Sequence, residues 1–174
     1  EELLPVLAAV AGALARLHAA GFVHGDLKPS NVLLDAAGSV WLADFGLSRR
    51  QAAGAAFPGE LAAGGTPFYA APELLAGGAP TPAADLFALG MLALRCLCPV
   101  TLSPRDFYAH FPAQPALEAL GISPAELPAA VRDLVPALLQ RRPDDRPESA
   151  AEVERSLAGR SGGSRQPERR PLPW

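Results

Sequence analysis

The sequence is poor in several features that mark particular classes of protein. No apolar run comes near the roughly 20 residues that a membrane-spanning helix needs, and no basic-then-apolar leader is visible, so we expect neither a membrane segment nor a secretory signal. A net charge of −3 gives no general attraction to nucleic acid or anionic lipid, and neither partner is expected. Cys96 and Cys98 would point away from each other on a helix, which disfavours a disulfide or a metal chelate. A reducing compartment, the cytoplasm, fits best.

Apolar residues, in contrast, are plentiful. Of the 174 residues, 49% are hydrophobic and 19% are charged, which suits one globular domain of ordinary size and is too apolar for a wholly disordered chain. Residues 159–174 are rich in glycine, serine, arginine and proline and lack apolar periodicity, which predicts a flexible tail. We therefore predict one domain over residues 1–158, followed by this tail.

The first 42 residues contain a helical pattern and then three short apolar runs. Leucine and valine recur at helical spacing over residues 1–20, and Gly21 stands where a helix would end. The runs Phe22–Val23, Val32–Leu34 and Ser39–Leu42 are short and bounded by polar or turn residues. They predict an amphipathic helix followed by short strands around a polar loop.

The rest of the domain is predicted to be mainly helical. Arg49–Gly65 is rich in glycine and alanine and predicts a loop, whereas Leu86–Leu97 is almost continuously apolar and predicts a buried helix. Cap-then-proline pairs predict helix starts at Thr81-Pro82, Ser103-Pro104 and Ser123-Pro124. Glu148–Leu157 has the spacing of a last short helix, and Pro136 should kink or interrupt its segment.

The scarcest residue types coincide in the polar loop. The only lysine, Lys28, and the only asparagine, Asn31, stand three residues apart, with Asp26 beside them and Asp44 just after the next strand. Two carboxylates, an ammonium and an amide oxygen can hold magnesium, neutralise a transferring phosphoryl group and accept a proton from an attacking hydroxyl. This combination predicts phosphoryl transfer.

Three motifs give these residues a family resemblance. His24–Asn31, read as HGDLKPSN, is similar to the catalytic loop of protein kinases, and Asp44-Phe45-Gly46 is similar to their metal-binding D-F-G. Gly65–Glu73, read as GTPFYAAPE, resembles the end of a kinase activation segment. The order and spacing of the three motifs agree with those of the kinase family. Over about residues 1–158 the chain therefore resembles a eukaryotic-like (Hanks-type) serine/threonine protein kinase.

The resemblance implies a role for each residue of the site. Asp26 would be the catalytic base and Lys28 would contact the γ-phosphate, while Asn31 and Asp44 would hold magnesium. Leu33 would pack beneath the adenine ring. The implied cofactors are ATP and Mg²⁺, and the implied reaction transfers the ATP γ-phosphate to a serine or threonine hydroxyl of a protein substrate.

Other positions would support the site. By the same resemblance, Thr66 would orient the two catalytic side chains, Asp85 would accept backbone hydrogen bonds from the catalytic loop, and Glu73 would pair with Arg146. Structural roles are thus implied for His24, Phe45, Gly46, Glu73, Asp85 and Arg146.

Two departures from the family pattern matter. Gly25 stands where most of the family has an arginine that binds a phosphorylated activation loop, so we expect no control by such phosphorylation. A kinase also needs a glycine-rich loop and a strand lysine upstream of the catalytic loop, but Lys28 is the only lysine. We therefore expect an α+β protein kinase-like fold with a mainly α-helical C-lobe and short β-strands around the catalytic loop. The N-lobe is expected to be absent from this chain and to be supplied by residues not in it. Such a fragment is expected to be inactive alone.

Two alternative functions remain open. The chain could be a truncated kinase or pseudokinase lobe that acts only as a binding module, although all four catalytic positions of this lobe are filled. It could also be a small-molecule phosphotransferase, since His-Gly-Asp occurs in aminoglycoside and choline kinase-like enzymes. Those enzymes usually lack Lys28-Pro29 and the Ala71-Pro72-Glu73 segment, which counts against this alternative.

Overall fold

The described part of the chain is built mainly from helices. The computed structural model describes residues 3–44, 49–50, 67–97, 117 and 121–160. Within these ranges the α-helices are α1 (Leu3–Ala19), α2 (Pro72–Leu75), α3 (Pro82–Leu97), α4 (Leu134–Leu138) and α5 (Ala150–Arg160). The strands are β1 (Phe22–Val23), β2 (Val32–Leu34), β3 (Val40–Leu42) and β4 (Arg49–Arg50). Single 3₁₀ turns span Pro29–Asn31, Pro67–Tyr69, Pro124–Glu126 and Pro143–Asp145. None of the described helices is both long and apolar enough to cross a bilayer.

The core is organised around α3. Every residue from Ala84 to Leu94 is buried, as the near-continuous apolar run predicts. The helix begins where the cap-then-proline pair indicates, since the Thr81 hydroxyl accepts a hydrogen bond from the Ala84 N–H at 3.2 Å. On one side α3 packs against α1, which packs in turn against α5, and elsewhere it packs against α4. This buried helix provides a rigid base for the loop that precedes β2.

A glycine permits the close approach of α3 to α4. A β-carbon at Gly90 would lie 2.9 Å from Leu138 Cβ and 2.9 Å from Leu139 Cδ2. We expect Gly90→Ala to lower the free energy of unfolding by roughly 1–3 kcal/mol through overpacking. The same change at Gly159 in α5, where nothing lies within 4 Å, should leave stability unchanged or raise it by up to about 1 kcal/mol. Urea unfolding of both variants tests this, and equal midpoints would contradict it.

The strands form two small antiparallel pairs. β2 pairs with β3 so that Leu33 faces Trp41, and β1 pairs with β4. The short strands before and after the polar loop are confirmed. The expectation of a loop from residue 49 onward is wrong at Arg49–Arg50, which pair with Phe22–Val23. A two-residue strand depends on its distant partner and leaves no pattern of its own in the sequence.

Further expectations are corrected or fall outside the described residues. Pro136 does not interrupt its segment, because it lies in the first turn of α4, where a backbone N–H has no acceptor within the helix. α5 continues through Arg160, into the start of the predicted tail. Ser103-Pro104 and residues 161–174 lie outside the described residues.

Candidate active site

The polar loop that joins β1 to β2 is held against the N-terminal end of α3. Asp85, in the first turn of α3, is 1% exposed. Its Oδ2 accepts the His24 N–H and its Oδ1 accepts the Gly25 N–H, both at 2.8 Å. Gly25 has φ 78°, a conformation that glycine adopts at little cost. One buried carboxylate therefore fixes the start of the loop, directly before Asp26.

The same carboxylate has a side-chain donor that sequence reasoning missed. His18, in the last turn of α1, places Nε2 2.8 Å from Asp85 Oδ2. A basic residue in the last turn of a helix is common because it complements the helix dipole, so nothing local distinguishes this histidine. Only its spatial relation to Asp85 identifies it as part of the site.

His24 ties the loop to the strand that precedes Asp44. Its ring is fully buried. Nδ1 accepts the Asp26 N–H at 3.3 Å, so Nε2 carries the proton that it donates to Ala43 O at 3.2 Å. The Ala43 N–H in turn donates to Asn31 O at 2.9 Å. Asp44 thus follows directly after a residue, Ala43, whose backbone is hydrogen-bonded to both ends of the loop.

Three side chains expected to act together are in contact on the loop. Lys28 Nζ donates to Asp26 Oδ2 at 2.6 Å, and both side chains are about a quarter exposed, at 23% and 25%. Asn31 Nδ2 donates to Asp26 O at 2.8 Å and to Asp26 Oδ2 at 3.3 Å. The aspartate is therefore oriented from two sides and still open to solvent, as a base that must reach a substrate hydroxyl requires.

Asp44 adopts an unusual backbone conformation. Its φ is 60°, and among the residues that the structure describes it is the one non-glycine residue with a positive φ. Aspartate enters this left-handed region more readily than most residues, and such conformations cluster at functional sites. The residue is exposed and directly follows Ala43, which is hydrogen-bonded to His24 and Asn31 of the loop.

The donor chemistry at this position fits magnesium. The Asn31 amide is oriented by its NH₂ group, which donates to Asp26, and its Oδ1 and the Asp44 carboxylate are hard oxygen atoms of the kind that magnesium prefers. In the described ranges, no three His, Cys, Asp or Glu side chains cluster as a metal site. Magnesium at phosphate sites does not need such a cluster, since it binds through one or two protein oxygens, waters and the phosphates.

The β2–β3 hairpin displays an apolar pair. Leu33 and Trp41 lie opposite each other on one face of the hairpin and are 51% and 62% exposed. The Asp35 carboxylate holds the turn by accepting the N–H groups of Ala37 and Ser39, and the Trp41 indole N–H donates to it at 3.3 Å. These bonds, first that from the Ser39 backbone, lower the pKa of Asp35. The residue expected beneath adenine therefore stands on an exposed and well-defined surface.

A buried ion pair fixes α2 to the segment before α5. The Arg146 side chain is fully buried and makes two parallel bonds to Glu73, at 2.6 and 2.8 Å. Its remaining N–H groups donate to the carbonyls of Ala83, Gln140 and Arg141 at 2.8 to 3.2 Å. All five guanidinium donors thus have acceptors, and the guanidinium carbon also lies 5.0 Å from the centroid of the Phe87 ring.

Three expected residues lie outside the described part of the chain: Phe45, Gly46 and Thr66. In the 3₁₀ turn Pro67–Tyr69, Phe68 is buried and meets the Tyr69 ring edge-on, with centroids 5.4 Å apart. Burial raises the pKa of Tyr69, an effect that the nearby Arg95 opposes.

Comparison with known proteins identifies the family. Residues 1–156 match the family model described as protein kinase domain. The chain belongs to the protein kinase domain family. The expected family is thereby confirmed, and the helices and small sheets described above fit a kinase-like fold.

Several curated kinases are similar to this kinase chain. Serine/threonine-protein kinase PknK of Mycobacterium tuberculosis is 34% identical over 165 residues, which cover 90% of the chain and 14% of PknK. The DNA damage-responsive serine/threonine-protein kinase RqkA of Deinococcus radiodurans is 37% identical over 144 residues, covering 80% of the chain and 21% of RqkA. Serine/threonine-protein kinase F of Synechocystis sp. is 35% identical over 153 residues, covering 86% and 29%. The kinase chain thus spans less than a third of each of these relatives.

Proposed function

We propose that this chain carries the catalytic loop of a serine/threonine protein kinase that transfers the γ-phosphate of ATP to a protein hydroxyl. The observation that carries the proposal is the contact of Asp26, Lys28 and Asn31 on one anchored loop, with Asp44 beside it. The three similar proteins named above are each called a serine/threonine-protein kinase, which supports the same activity.

The four site residues, Asp26, Lys28, Asn31 and Asp44, each have a part in the proposed reaction. The substrate hydroxyl oxygen forms a bond to the γ-phosphorus while the bond between that phosphorus and the bridging oxygen of ADP breaks, and Asp26 accepts the hydroxyl proton. Lys28, which pairs with Asp26 at 2.6 Å, would move its ammonium to the γ-phosphate when ATP binds. Asn31 and Asp44 would hold magnesium, which neutralises phosphate charge when bound.

The chain corresponds in this proposal to the C-terminal lobe, over residues 1–158, with residues 159–174 as a tail. Lys28 is the only lysine in the sequence, so in this proposal the lysine that contacts the α- and β-phosphates in kinases would be supplied by residues not in this chain. The N-lobe would then cover the exposed side chain of Leu33. The assembled enzyme would act on protein substrates in the cytoplasm.

A transfer assay tests the proposed function. A protein that carries this chain together with an N-lobe, incubated with Mg²⁺ and γ-labelled ATP, should label casein on serine or threonine, as phosphoamino-acid analysis would show. Labelling of an aminoglycoside or of choline in place of casein would indicate a small-molecule phosphotransferase. Labelling of none of these substrates would leave the binding-module alternative and refute the proposal.

The 174 residues alone should bind nucleotide weakly. Without a glycine-rich loop and a strand lysine, we expect a Kd for Mg-ATP in roughly the millimolar range and no turnover. Isothermal titration and the same labelling assay, applied to the purified chain, measure both. Turnover by this chain that Asp26→Asn abolishes would show that the N-lobe is not needed.

A further inference from the structure

Trp41 is an exposed aromatic side chain that the proposed mechanism does not use. It lies opposite Leu33 in the β2–β3 pair, and residues directly opposite each other in an antiparallel pair point to the same face. The two residues are 62% and 51% exposed, and Trp41 is the most exposed large apolar residue that the structure describes. Together their side chains form one apolar surface, the Leu33–Trp41 patch.

The indole of this patch is held by its own hairpin. Its N–H donates to Asp35 Oδ2 at 3.3 Å, while Asp35 Oδ1 accepts the N–H groups of Ala37 and Ser39 at 2.9 and 2.8 Å. The carboxylate that closes the turn therefore also fixes the polar edge of the Trp41 ring. Because the N–H is the only polar group of an indole, the rest of the exposed side chain is apolar ring surface.

The patch lies a short distance along the hairpin from the proposed magnesium ligands. Asn31 directly precedes β2 and Asp44 follows β3 by two residues, so both stand at the end of the hairpin that is opposite the turn. At about 3.3 Å per residue, Leu33 lies up to about 7 Å along the chain from Asn31, and Trp41 up to about 10 Å from Asp44. One hairpin thus carries hard oxygen atoms at its open end and an apolar patch next to them.

A nucleoside triphosphate has the same division of chemistry. Its phosphates bind magnesium through hard oxygens, and its base, one ribose away, is a flat ring that stacks favourably on aromatic side chains. An apolar protein segment would also bury the patch, but it would make no use of the oxygen atoms beside it. The pairing of the two surfaces on one hairpin therefore favours a nucleotide as the occupant.

We propose that Trp41 binds the base of ATP and forms, with Leu33, the surface against which the adenine ring packs. The inference rests on the proposed function, which places the phosphates of ATP near Asn31 and Asp44. The contact is made equally in the ground state and in the transition state, because the base does not react. Trp41 should therefore lower the KM for ATP and leave kcat almost unchanged.

A spectroscopic signal from Trp41 tests the contact without turnover. In the protein that carries both lobes, labelled with 5-fluorotryptophan, the fluorine resonance that disappears in Trp41→Phe belongs to Trp41. Adenosine and Mg-ATP should each shift this resonance, whereas tripolyphosphate, which has no base, should leave it in place. If neither adenosine nor Mg-ATP shifts it, or if tripolyphosphate shifts it as much, the proposal is wrong. A resonance that moves when the N-lobe is joined to the chain, but not when nucleotide is added, would assign the patch to the N-lobe and also overturn the proposal.

Affinity measurements test how much the contact contributes. In the protein with both lobes, Trp41→Ala should raise the Kd for Mg-ATP about tenfold, the effect of losing one base–aromatic contact, and Trp41→Phe should keep most of the affinity. The matched control is Leu34→Ala, since Leu34 is 56% exposed on the same strand but points to the opposite face, and its Kd should stay within about twofold. Isothermal titration measures all three values. Equal Kd values for Trp41→Ala and Leu34→Ala would refute the proposal.

The outcomes separate this inference from the proposed function. In casein labelling, Trp41→Ala should raise the KM for ATP and keep kcat within about twofold, and a loss confined to kcat would contradict a contact with the base. If the unsubstituted two-lobe protein binds Mg-ATP but labels no substrate, the proposed function fails, and the Kd values still decide the role of Trp41. If it binds no Mg-ATP, both fail. Should Trp41→Ala not fold, the fluorine resonance of Trp41 decides.

Discussion

Replacing Arg146 by alanine is expected to lower the free energy of unfolding by about 3–5 kcal/mol. The substitution removes a fully buried guanidinium that bonds twice to Glu73 and leaves that carboxylate, which is only 20% exposed, without its partner. It also deprives three backbone carbonyls of their donor and opens a space beside Phe87. Urea unfolding followed by circular dichroism measures the change.

A neighbouring arginine provides the control for this experiment. Arg142 is 75% exposed and reaches Asp145 only at 4.0 Å, so Arg142→Ala should change stability by less than about 0.5 kcal/mol. Arg146→Lys keeps the charge but not the two parallel bonds, and it should still lose a large part of the stability. A midpoint for Arg146→Ala close to that of Arg142→Ala would show that the buried pair does not hold the fold together.

Asp26→Asn is expected to reduce kcat for phosphate transfer by roughly 10² to 10⁴ in the protein that carries both lobes. The amide cannot accept the hydroxyl proton, although it fills the same space. Its oxygen can still accept a hydrogen bond from Lys28 or Asn31, so the thermal midpoint should change little. Steady-state assays with Mg-ATP and casein, together with thermal unfolding, measure the two effects separately.

The matched control is an Asp-to-Asn change on the surface. Asp145 is 54% exposed and lies in the 3₁₀ turn Pro143–Asp145, outside the proposed site. Asp145→Asn should keep kcat within about twofold of the unsubstituted protein. If Asp26→Asn kept activity at the level of this control, Asp26 would be ruled out as the base. Asp44, the other carboxylate of the proposed site, would then be the next candidate for the proton acceptor.

Local pattern predicted much of the fold because helix starts and buried runs depend on near neighbours in the chain. Thr81-Pro82 predicts the start of α3, because a hydroxyl cap and a proline in the first turn affect only the neighbouring residues. The apolar run to Leu97 predicts a buried helix, because it too is a pattern of neighbouring residues. Pro136 misled the same reasoning, because its effect depends on where in a helix it lies, and that depends on the packing of α4. The Arg49–Arg50 strand was missed because its partner lies in another part of the chain.

The sequence by itself determined the chemistry of the site: Asp26, Lys28 and Asn31 fall within six residues of one another, so a short loop must bring them together. The contacts of Asp85 with Gly25, across 60 residues of chain, and of Arg146 with Glu73, across 73, were implied by the family resemblance, because no spacing rule predicts contacts between such distant positions. What only the tertiary structure decided is the geometry of these contacts and the additional side chain that reaches Asp85. His18 reaches Asp85 because the packing of α1 against α3 brings its ring to this buried carboxylate. Hydrogen bonds that satisfy buried charges are made wherever packing puts donor and acceptor together, and packing is a property of the whole fold.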